Sequence, residues 1–291
     1  MQHREQHNDG LHPIDGRPAD PDRFARRVTE IKPLVEKNEA SWFETLTALA
    51  MLEARDAGVD YVCCETGLGG RLDATNALPA LAILLTTVGL DHQRILGETR
   101  EEIAAEKLGL LKRGVPLFCG VDEELRPQVF RAAVTSGSPS YFLDELAHWG
   151  GPEAGDTWDL TLRDRVFANL PDPGTEPMRR NMALAVMALA ELEASGHEGL
   201  LPNDVAGSLG NLFLPGRYQR VLTRPDWFVD TAHNEQALAR VLAAFAARPG
   251  PGRRILLFGA MADKNLPVEL GPHLKKFDGI VGTPVALPRS M

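Results

Sequence analysis

What this sequence lacks excludes several classes of function. Basic residues are outnumbered, 31 Lys and Arg against 40 Asp and Glu, and the net charge of -9 argues against a nucleic-acid partner. No apolar run approaches the roughly 20 residues that a membrane span needs, and the N-terminus has no signal-peptide core. We therefore expect a cytoplasmic protein without a membrane partner. A nucleotide is not excluded, because glycine-rich backbone and Mg²⁺ can hold a few phosphates.

The three cysteines do not predict a metal site. Cys63 and Cys64 are adjacent, and neighbouring side chains on a strand point to opposite faces of the sheet. We expect them to be buried apolar residues and not a pair of metal ligands.

The rest of the pattern is typical of an α/β protein with a parallel sheet. With 291 residues and 44% hydrophobic residues, the chain is long enough for two domains. A helical pattern covers residues 22–37, and Ser41 with Glu44 forms a capping box for a second helix. Helical segments separate short apolar runs, which are typical of buried parallel strands. These runs are VDYVCCE, LAILLTTVGLDH, VPLFCGV, WFVDTAHN and RRILLFGAMADK.

Two segments bear on the domain organisation. Residues 144–175 are less regular, with two tryptophans and several glycines and prolines, and a helix is expected over residues 179–194. A stretch marked by Gly and Pro then precedes Leu212. We predict a domain boundary there, which divides the chain into residues 1–211 and 212–291.

Polar side chains follow four of the predicted strands, where ligands bind in open α/β sheets. The groups are Glu65, Asp91 and His92, Asp230 to Asn234, and Asp263 with Lys264. This set indicates Mg²⁺ and phosphate chemistry, with Glu65 and His92 as candidate metal ligands. By spacing alone, His92 could equally cap a helix or bond a backbone carbonyl. Lys107 could be a solvated helix residue, and Arg217 either a phosphate clamp or a surface arginine.

Seven motifs in a fixed order resemble one family. They are FETLTA (43–48), ETGLGGRLDATN (65–76), GLDHQRILGET (89–99), AAEKLGLLK (104–112), LPGRYQRV (214–221), DTAHN (230–234) and FGAMADK (258–264). Together they resemble the folylpolyglutamate synthase/dihydrofolate synthase family of the Mur ligase superfamily. The resemblance implies a parallel-sheet ATP-binding domain followed by a smaller Rossmann-like α/β domain, the first incomplete at its N-terminus and the second at its C-terminus.

The family's chemistry is ATP-dependent amide formation. The resemblance implies that a carboxylate of folate or dihydropteroate is phosphorylated, and that the amine of L-glutamate attacks the acyl phosphate. It implies Mg²⁺ at Glu65 and His92, a carbamylated Lys107, and a catalytic role for His233. It also implies contacts to ATP from Asn181, Arg217 and Asp230. A loop beside the substrate is implied at Gly69, Gly70, Arg71, Asp73 and Asn76. A monomer is expected.

The chain departs from the family in one feature of its chemistry. Family members carry a P-loop near the N-terminus, whereas this sequence contains no Gly-Lys dipeptide. A non-catalytic paralogue that retains weak ligand binding is therefore the alternative function. A ligase acting on a nucleotide-linked muramyl peptide is a third interpretation, which GLGGRLDATN argues against. Thr231 also stands where the family has glycine. The sequence leaves open whether dihydropteroate, a reduced folate or both are acceptors.

Overall fold

A computed structural model describes residues 20–150, 157–248, 252–259 and 271–283. These residues form two compact units. The first comprises the described residues up to Pro79 together with Glu106–Leu110, and the second comprises Ala80–Ala105 and the described residues from Leu111 onward. The predicted strand-end residues Asp263 and Lys264 lie outside the described residues.

The first unit begins with two helices whose ends agree with the sequence patterns. They are α1 (Pro21–Asn38) and α2 (Trp42–Ala57). The predicted capping box is confirmed, because Ser41 accepts a hydrogen bond from the Glu44 backbone while the Glu44 side chain accepts one from Ser41. Arg23 forms an ion pair of 2.5 Å with Glu53, which is only 5% exposed. This pair joins α1 to α2.

The segment after α2 corrects a prediction. VDYVCCE was expected to be a buried strand, but residues 61–66 have no regular secondary structure, and Tyr61, Val62, Cys63 and Cys64 are exposed. A strand requires a hydrogen-bonded neighbour, and no described strand pairs with this segment. The two cysteines are therefore not buried apolar residues. A short 3₁₀ helix follows at Ala74–Ala77.

The second unit contains the predicted parallel sheet. Its strands are β1 (Ile83–Leu85), β2 (Leu117–Cys119) and β3 (Ser140–Phe142), in the order β1-β2-β3. Both pairings are parallel, as the apolar runs indicated, and all three residues of β2 are buried. The connecting helices are α3 (Gln93–Leu96), α4 (Arg100–Leu108) and α5 (Arg126–Ser136). The end of α4, from Glu106 onward, belongs to the first unit.

An antiparallel sheet occupies the segment that was expected to be irregular. After α6 (Leu143–Leu146), it is formed by β4 (Ala147–Gly150), β5 (Thr157–Leu162) and β6 (Arg165–Pro171). The signal that identifies β5 is strict alternation, since Trp158, Leu160 and Leu162 are buried and their neighbours face outward. Helix α7 (Glu176–Ala194) follows this sheet in the chain. Residues of α7, β5 and β6 share one apolar core, which includes Leu160, Leu170, Leu184 and Met187.

The remaining elements continue the second unit. They are α8 (Val205–Gly210), β7 (Gln219–Thr223), β8 (Asp226–Val229), α9 (Glu235–Ala247), β9 (Ile255–Phe258), α10 (Gly271–Leu274) and β10 (Gly279–Gly282). β9 and β10 pair in parallel, whereas β7 and β8 form an antiparallel hairpin. The prediction that WFV is a buried parallel strand is therefore wrong. Two residues between strands permit only antiparallel pairing.

The last core cluster lies around α9. Leu238 and Leu242 are buried against partly buried apolar residues that include Leu256 and Phe258 of β9. The domain boundary near Leu212 falls between α8 and β7, within the second unit, and stays a prediction. Within the described ranges, no helix combines the length and apolar character needed to cross a membrane.

Candidate functional site

The glycine-rich loop is closed around one carboxylate. Asp73 accepts hydrogen bonds from the Leu68 backbone at 2.9 Å and from the Thr75 hydroxyl at 2.6 Å, and it caps the following 3₁₀ helix through the Thr75 backbone. Burial raises the pKa of Asp73, but the bonds from Thr75, Leu68 and Gly67 outweigh it, so the net pKa lies below the ordinary value. Asp73 therefore holds the loop in its folded shape.

The same loop lies backbone to backbone against the end of α4. A Cβ atom on Gly70 would lie 2.8 Å from the Lys107 carbonyl oxygen, so this position accepts only glycine without movement. The Arg71 backbone donates to the Glu106 carbonyl at 2.8 Å, and the Arg71 guanidinium pairs with the Glu106 carboxylate at 3.0 Å. Asn76 donates to the Gly109 carbonyl at 3.2 Å. Arg71, Asp73 and Asn76 thus all take part in fixing the loop.

A second contact joins this loop to α2. A Cβ on Gly67 would lie 2.5 Å from the ring of Phe43, so the ring rests directly on the glycine backbone. Gly69 is buried and has a φ of 69°, a conformation that favours glycine. Two sequence motifs that are separated along the chain, FETLTA and GLGGRLDATN, therefore meet within the first unit.

Lys107 lies in the last turn of α4, at the point where Gly70 contacts its backbone. The side chain is half-buried. Within the described residues it forms no ion pair and no hydrogen bond. The Lys107 side chain is therefore unpaired among the described residues, whereas the neighbouring Arg71 side chain forms an ion pair with Glu106.

The two expected metal ligands, Glu65 and His92, are both exposed. His92 occupies the N-cap position of α3 with a φ of 52°, but its side chain forms no capping hydrogen bond. In the described residues, the Glu65 carboxylate has no hydrogen-bond donor, and no group of three or more acidic, His or Cys side chains is placed to hold a metal. Glu65 belongs to the first unit and His92 to the second, and their pairing stays a prediction.

Asp230 joins the two turns of the expected phosphate region. One oxygen accepts from the Tyr218 backbone and the other from the Ala232 backbone, both at 2.7 Å. The Thr231 backbone also donates to the Gly216 carbonyl at 2.8 Å. Arg217 lies between these contacts with its side chain exposed. Asp230 therefore holds the LPGR and DTAHN motifs together. The sequence analysis did not predict this role.

Thr231 contacts Gly216 through its side chain. A Cβ on Gly216 would lie 2.7 Å from Thr231 Cγ2, and Gly216 has a φ of 68°. The threonine that replaces the family's glycine is thus accommodated by a glycine on the neighbouring turn.

Asp91 is a further residue of this region, which the sequence analysis placed at a strand end without assigning it a role. Its carboxylate accepts from the His92 backbone at 2.9 Å and from Asn234 Nδ2 at 3.2 Å, and it lies 3.5 Å from His233 Nε2. His233 Nδ1 lies 3.0 Å from the Thr231 carbonyl. The strand-end position of Asp91 was the available signal, but its partner is 143 residues away in the sequence.

Asn181, expected beside the nucleotide, is exposed on α7. Its side chain forms no hydrogen bond within the described ranges. Its predicted contact with the nucleotide stays a prediction.

Comparisons with a family model, with the sequences of known proteins and with solved structures all identify the same kind of protein. Residues 216–291 match the family described as Mur ligase, glutamate ligase domain. The chain is 31% identical to the dihydrofolate synthase/folylpolyglutamate synthase of Bacillus subtilis over 264 residues, which cover 86% of the chain and 61% of that protein. It matches the structure of Escherichia coli FolC in complex with DHPP and ADP with a TM-score of 0.84 and 28% identity, covering 96% of this chain and 65% of that one.

A further solved structure, a bifunctional folylpolyglutamate synthase/dihydrofolate synthase with Mn, AMPPNP and L-glutamate bound, matches with a TM-score of 0.79 and 27% identity. The alignment covers 96% of this chain and 66% of that one. The chain spans roughly half to three fifths of the length of the curated relatives it matches. With the motif order, the local geometry and these matches together, the chain belongs to the folylpolyglutamate synthase/dihydrofolate synthase family of Mur ligases.

Proposed function

We propose that this protein is an ATP-dependent ligase that adds L-glutamate to the carboxylate of a folate or of dihydropteroate. The observation that carries the proposal is the contact of Gly70 with the Lys107 backbone. It brings the loop expected beside the substrate to the lysine expected to be carbamylated. The relatives support the choice of substrates, because FolC was solved with DHPP and ADP, and a bifunctional relative with AMPPNP, Mn and L-glutamate.

The reaction follows from the poor electrophilicity of a carboxylate. A carboxylate oxygen attacks the γ-phosphorus of ATP, which forms an acyl phosphate and releases ADP. The glutamate amine then attacks the acyl carbon, loses a proton, and expels phosphate as the amide forms. Phosphorylation helps because it removes the charge that repels the nucleophile and supplies a leaving group.

Lys107 is proposed to act as a carbamate. Its neutral amine adds to carbon dioxide, forming an N–C bond and releasing a proton, which converts a cation into an anionic oxygen ligand. The half-buried side chain has no carboxylate partner in the described residues, so the modification breaks no ion pair there. Gly70 and Arg71 hold the backbone of this turn from one side.

Glu65 and His92 are proposed to hold Mg²⁺. The donor set fits, since one carboxylate and one imidazole suffice for an ion that keeps several of its waters. Both side chains are exposed, and the Glu65 carboxylate has no competing donor among the described residues. Bound Mg²⁺ would neutralise phosphate charge. Asn181, Arg217 and Asp230 are proposed to contact ATP, with His233 beside the phosphate.

The proposal is tested by ATP-dependent incorporation of radiolabelled glutamate on this 291-residue chain, with dihydropteroate and tetrahydrofolate offered separately. We expect incorporation with at least one acceptor, and its loss in Lys107→Ala. The matched control is Lys37→Ala, an exposed lysine in the last turn of α1, which is expected to retain full activity. Absence of incorporation with both acceptors, in a folded sample, contradicts the proposal and supports the non-catalytic alternative.

The acyl-phosphate step has a separate test. A pteroate or folate acceptor labelled with ¹⁸O in the reacting carboxylate should pass one labelled oxygen to the released phosphate, because that oxygen bridges carbon and phosphorus in the intermediate. Phosphate without label, from a reaction that forms the amide, would exclude this route. Mass spectrometry of the phosphate gives the answer directly.

A further inference from the structure

The carboxylate of Asp91 contacts two parts of the expected site at once. One oxygen accepts from the backbone of His92, the expected metal ligand, at 2.9 Å. The other accepts from Asn234 Nδ2 at 3.2 Å and lies 3.5 Å from His233 Nε2. Both segments belong to the second unit. A single side chain therefore links the GLDH loop to the DTAHN turn.

A second contact between these segments does not involve Asp91. A Cβ on Gly89 would lie 2.5 Å from the side-chain oxygen of Gln236, on the first turn of α9. The loop after β1 thus approaches the start of α9 at two positions. The Gly89 backbone and the Gln236 side chain thus lie against each other close to the Asp91 contacts.

Two of the residues that Asp91 contacts, His92 and Asn234, are each under a local constraint. His92 adopts a left-handed backbone, which costs a non-glycine residue on the order of 1 kcal/mol or more and persists only where neighbours hold it. Asn234 is the N-cap of α9, and its Oδ1 accepts from the Ala237 backbone at 2.9 Å. Asn234 therefore uses its oxygen for the helix and its nitrogen for Asp91, so its orientation is determined at both ends.

We propose that Asp91 is a positioning residue that fixes the expected metal ligand His92 and the expected phosphate-side residue His233 in one arrangement. The proposal rests on the proposed function for what the two histidines bind, but the link itself is independent of it. Asp91 is assigned no contact with substrate and no proton transfer. Its carboxylate, with two oxygens that accept separately, is the group that can hold both segments.

The link is tested by a double-mutant cycle with Asp91→Asn and Asn234→Ser. Serine preserves the oxygen that caps α9 but removes the donor to Asp91, and asparagine keeps only one accepting oxygen. We expect the unfolding equilibrium constant of the double variant to differ about fivefold from the value that the two single variants predict together. Coupling of this size is typical of residues in direct contact. Asp164→Asn, in an exposed turn, serves as the matched control and should be additive with Asn234→Ser.

Positioning is tested by ligand binding, which a purely structural contact would not affect. The probe is Mn²⁺ with ADP, titrated calorimetrically into wild type, Asp91→Asn and Asn234→Ser. Each single variant should weaken binding about tenfold and the double variant no further, since both remove the same link. Hydrogen exchange at the amides of residues 230–238 should quicken in both variants.

The outcomes separate the two proposals. Additive effects on unfolding, with unchanged exchange at residues 230–238, overturn the role of Asp91. A second outcome also overturns the proposal: non-additive effects on unfolding in variants that bind Mn²⁺ and ADP as tightly as wild type. Asp91 would then be a structural contact without an effect on the site. If wild type binds no Mn²⁺ and ADP, the proposed ligase function fails, whereas the unfolding cycle and the exchange measurement still decide whether Asp91 links the two segments.

Discussion

Gly70 rests on the backbone of Lys107, where a methyl group would lie 2.8 Å from the Lys107 carbonyl oxygen. The Arg71 backbone donates to the Glu106 carbonyl at 2.8 Å immediately beside this contact. The glycine-rich loop is therefore not a flexible turn between two elements. It is an ordered segment whose glycine permits two backbones to meet, and it packs against the end of α4.

Replacement of Gly70 by Ala should lower the free energy of unfolding by about 1–3 kcal/mol, because the added methyl group meets backbone atoms that cannot rotate away. Urea denaturation followed by circular dichroism measures the change. Gly210→Ala is the matched control, since a Cβ there meets no atom within 4 Å. Equal stability of Gly70→Ala and Gly210→Ala would show that the loop does not lie against α4 as described.

Asp73→Asn should lower stability by roughly 1–2 kcal/mol at pH 7, because one accepting oxygen is lost from a carboxylate that accepts from Leu68 and Thr75. The folded-state pKa of Asp73 is lowered by these bonds, which outweigh its burial. Its ionised form therefore stabilises the fold above an unfolded pKa of about 3.9, and this contribution is lost as pH falls through the folded pKa. The difference between wild type and Asp73→Asn should shrink below about pH 4. Urea unfolding across pH 2.5–7 measures this difference, with Asp164→Asn as the control. A stability difference between wild type and Asp73→Asn that stays constant over this range would contradict the prediction.

The three cysteines should divide into two reactive thiols and one protected thiol. Cys63 and Cys64 are exposed, whereas Cys119 is buried within β2 and burial raises its pKa to about 11. Cys64 should react more slowly than Cys63, because partial burial and the charge of Asp73 raise its pKa. An Ellman titration near pH 8 should give two thiols in native buffer and three in denaturant. Three thiols released at one rate in native buffer would be inconsistent with the buried β2.

Arg71→Met should reduce stability by less than about 1 kcal/mol, and the reduction should disappear in about 0.5 M salt. The Arg71 side chain is 55% exposed, so its ion pair with Glu106 is screened by water and ions. The backbone bond from Arg71 to Glu106 does not depend on the side chain and is retained. A larger loss that persists in salt would mean that the guanidinium contributes through packing instead of charge.

The local parts of the fold were predictable. Ser41 and Glu44 identify the start of α2 because a capping box involves only residues three apart. The helix expected over residues 179–194 begins slightly earlier, at Glu176, where a proline occupies the first turn. β2 was identified because a strand buried on every residue has a continuous apolar run. In each case the information lies within one element.

The candidate site was predictable only in part. Seven ordered motifs placed the chain in its family, and the loop residues around Asp73 bond one another over short sequence distances. Asp91 was recognised as a strand-end residue, but its role was not predicted because its partner Asn234 lies 143 residues away. The two-oxygen role of Asp230 was missed for a related reason, since one partner, Tyr218, lies in the turn that precedes β7.

The sequence by itself determined helices α1, α2 and α7, the apolar strands β1 and β2 and the family, because helical periodicity, apolar runs and motif order depend on residues close together in the chain. Only the tertiary structure decided that VDYVCCE is not a strand, since strand formation depends on a partner and not on composition. It also decided that Gly70 meets Lys107 and that Asp91 meets Asn234. Such contacts arise when distant segments fold against each other, and no local pattern records them.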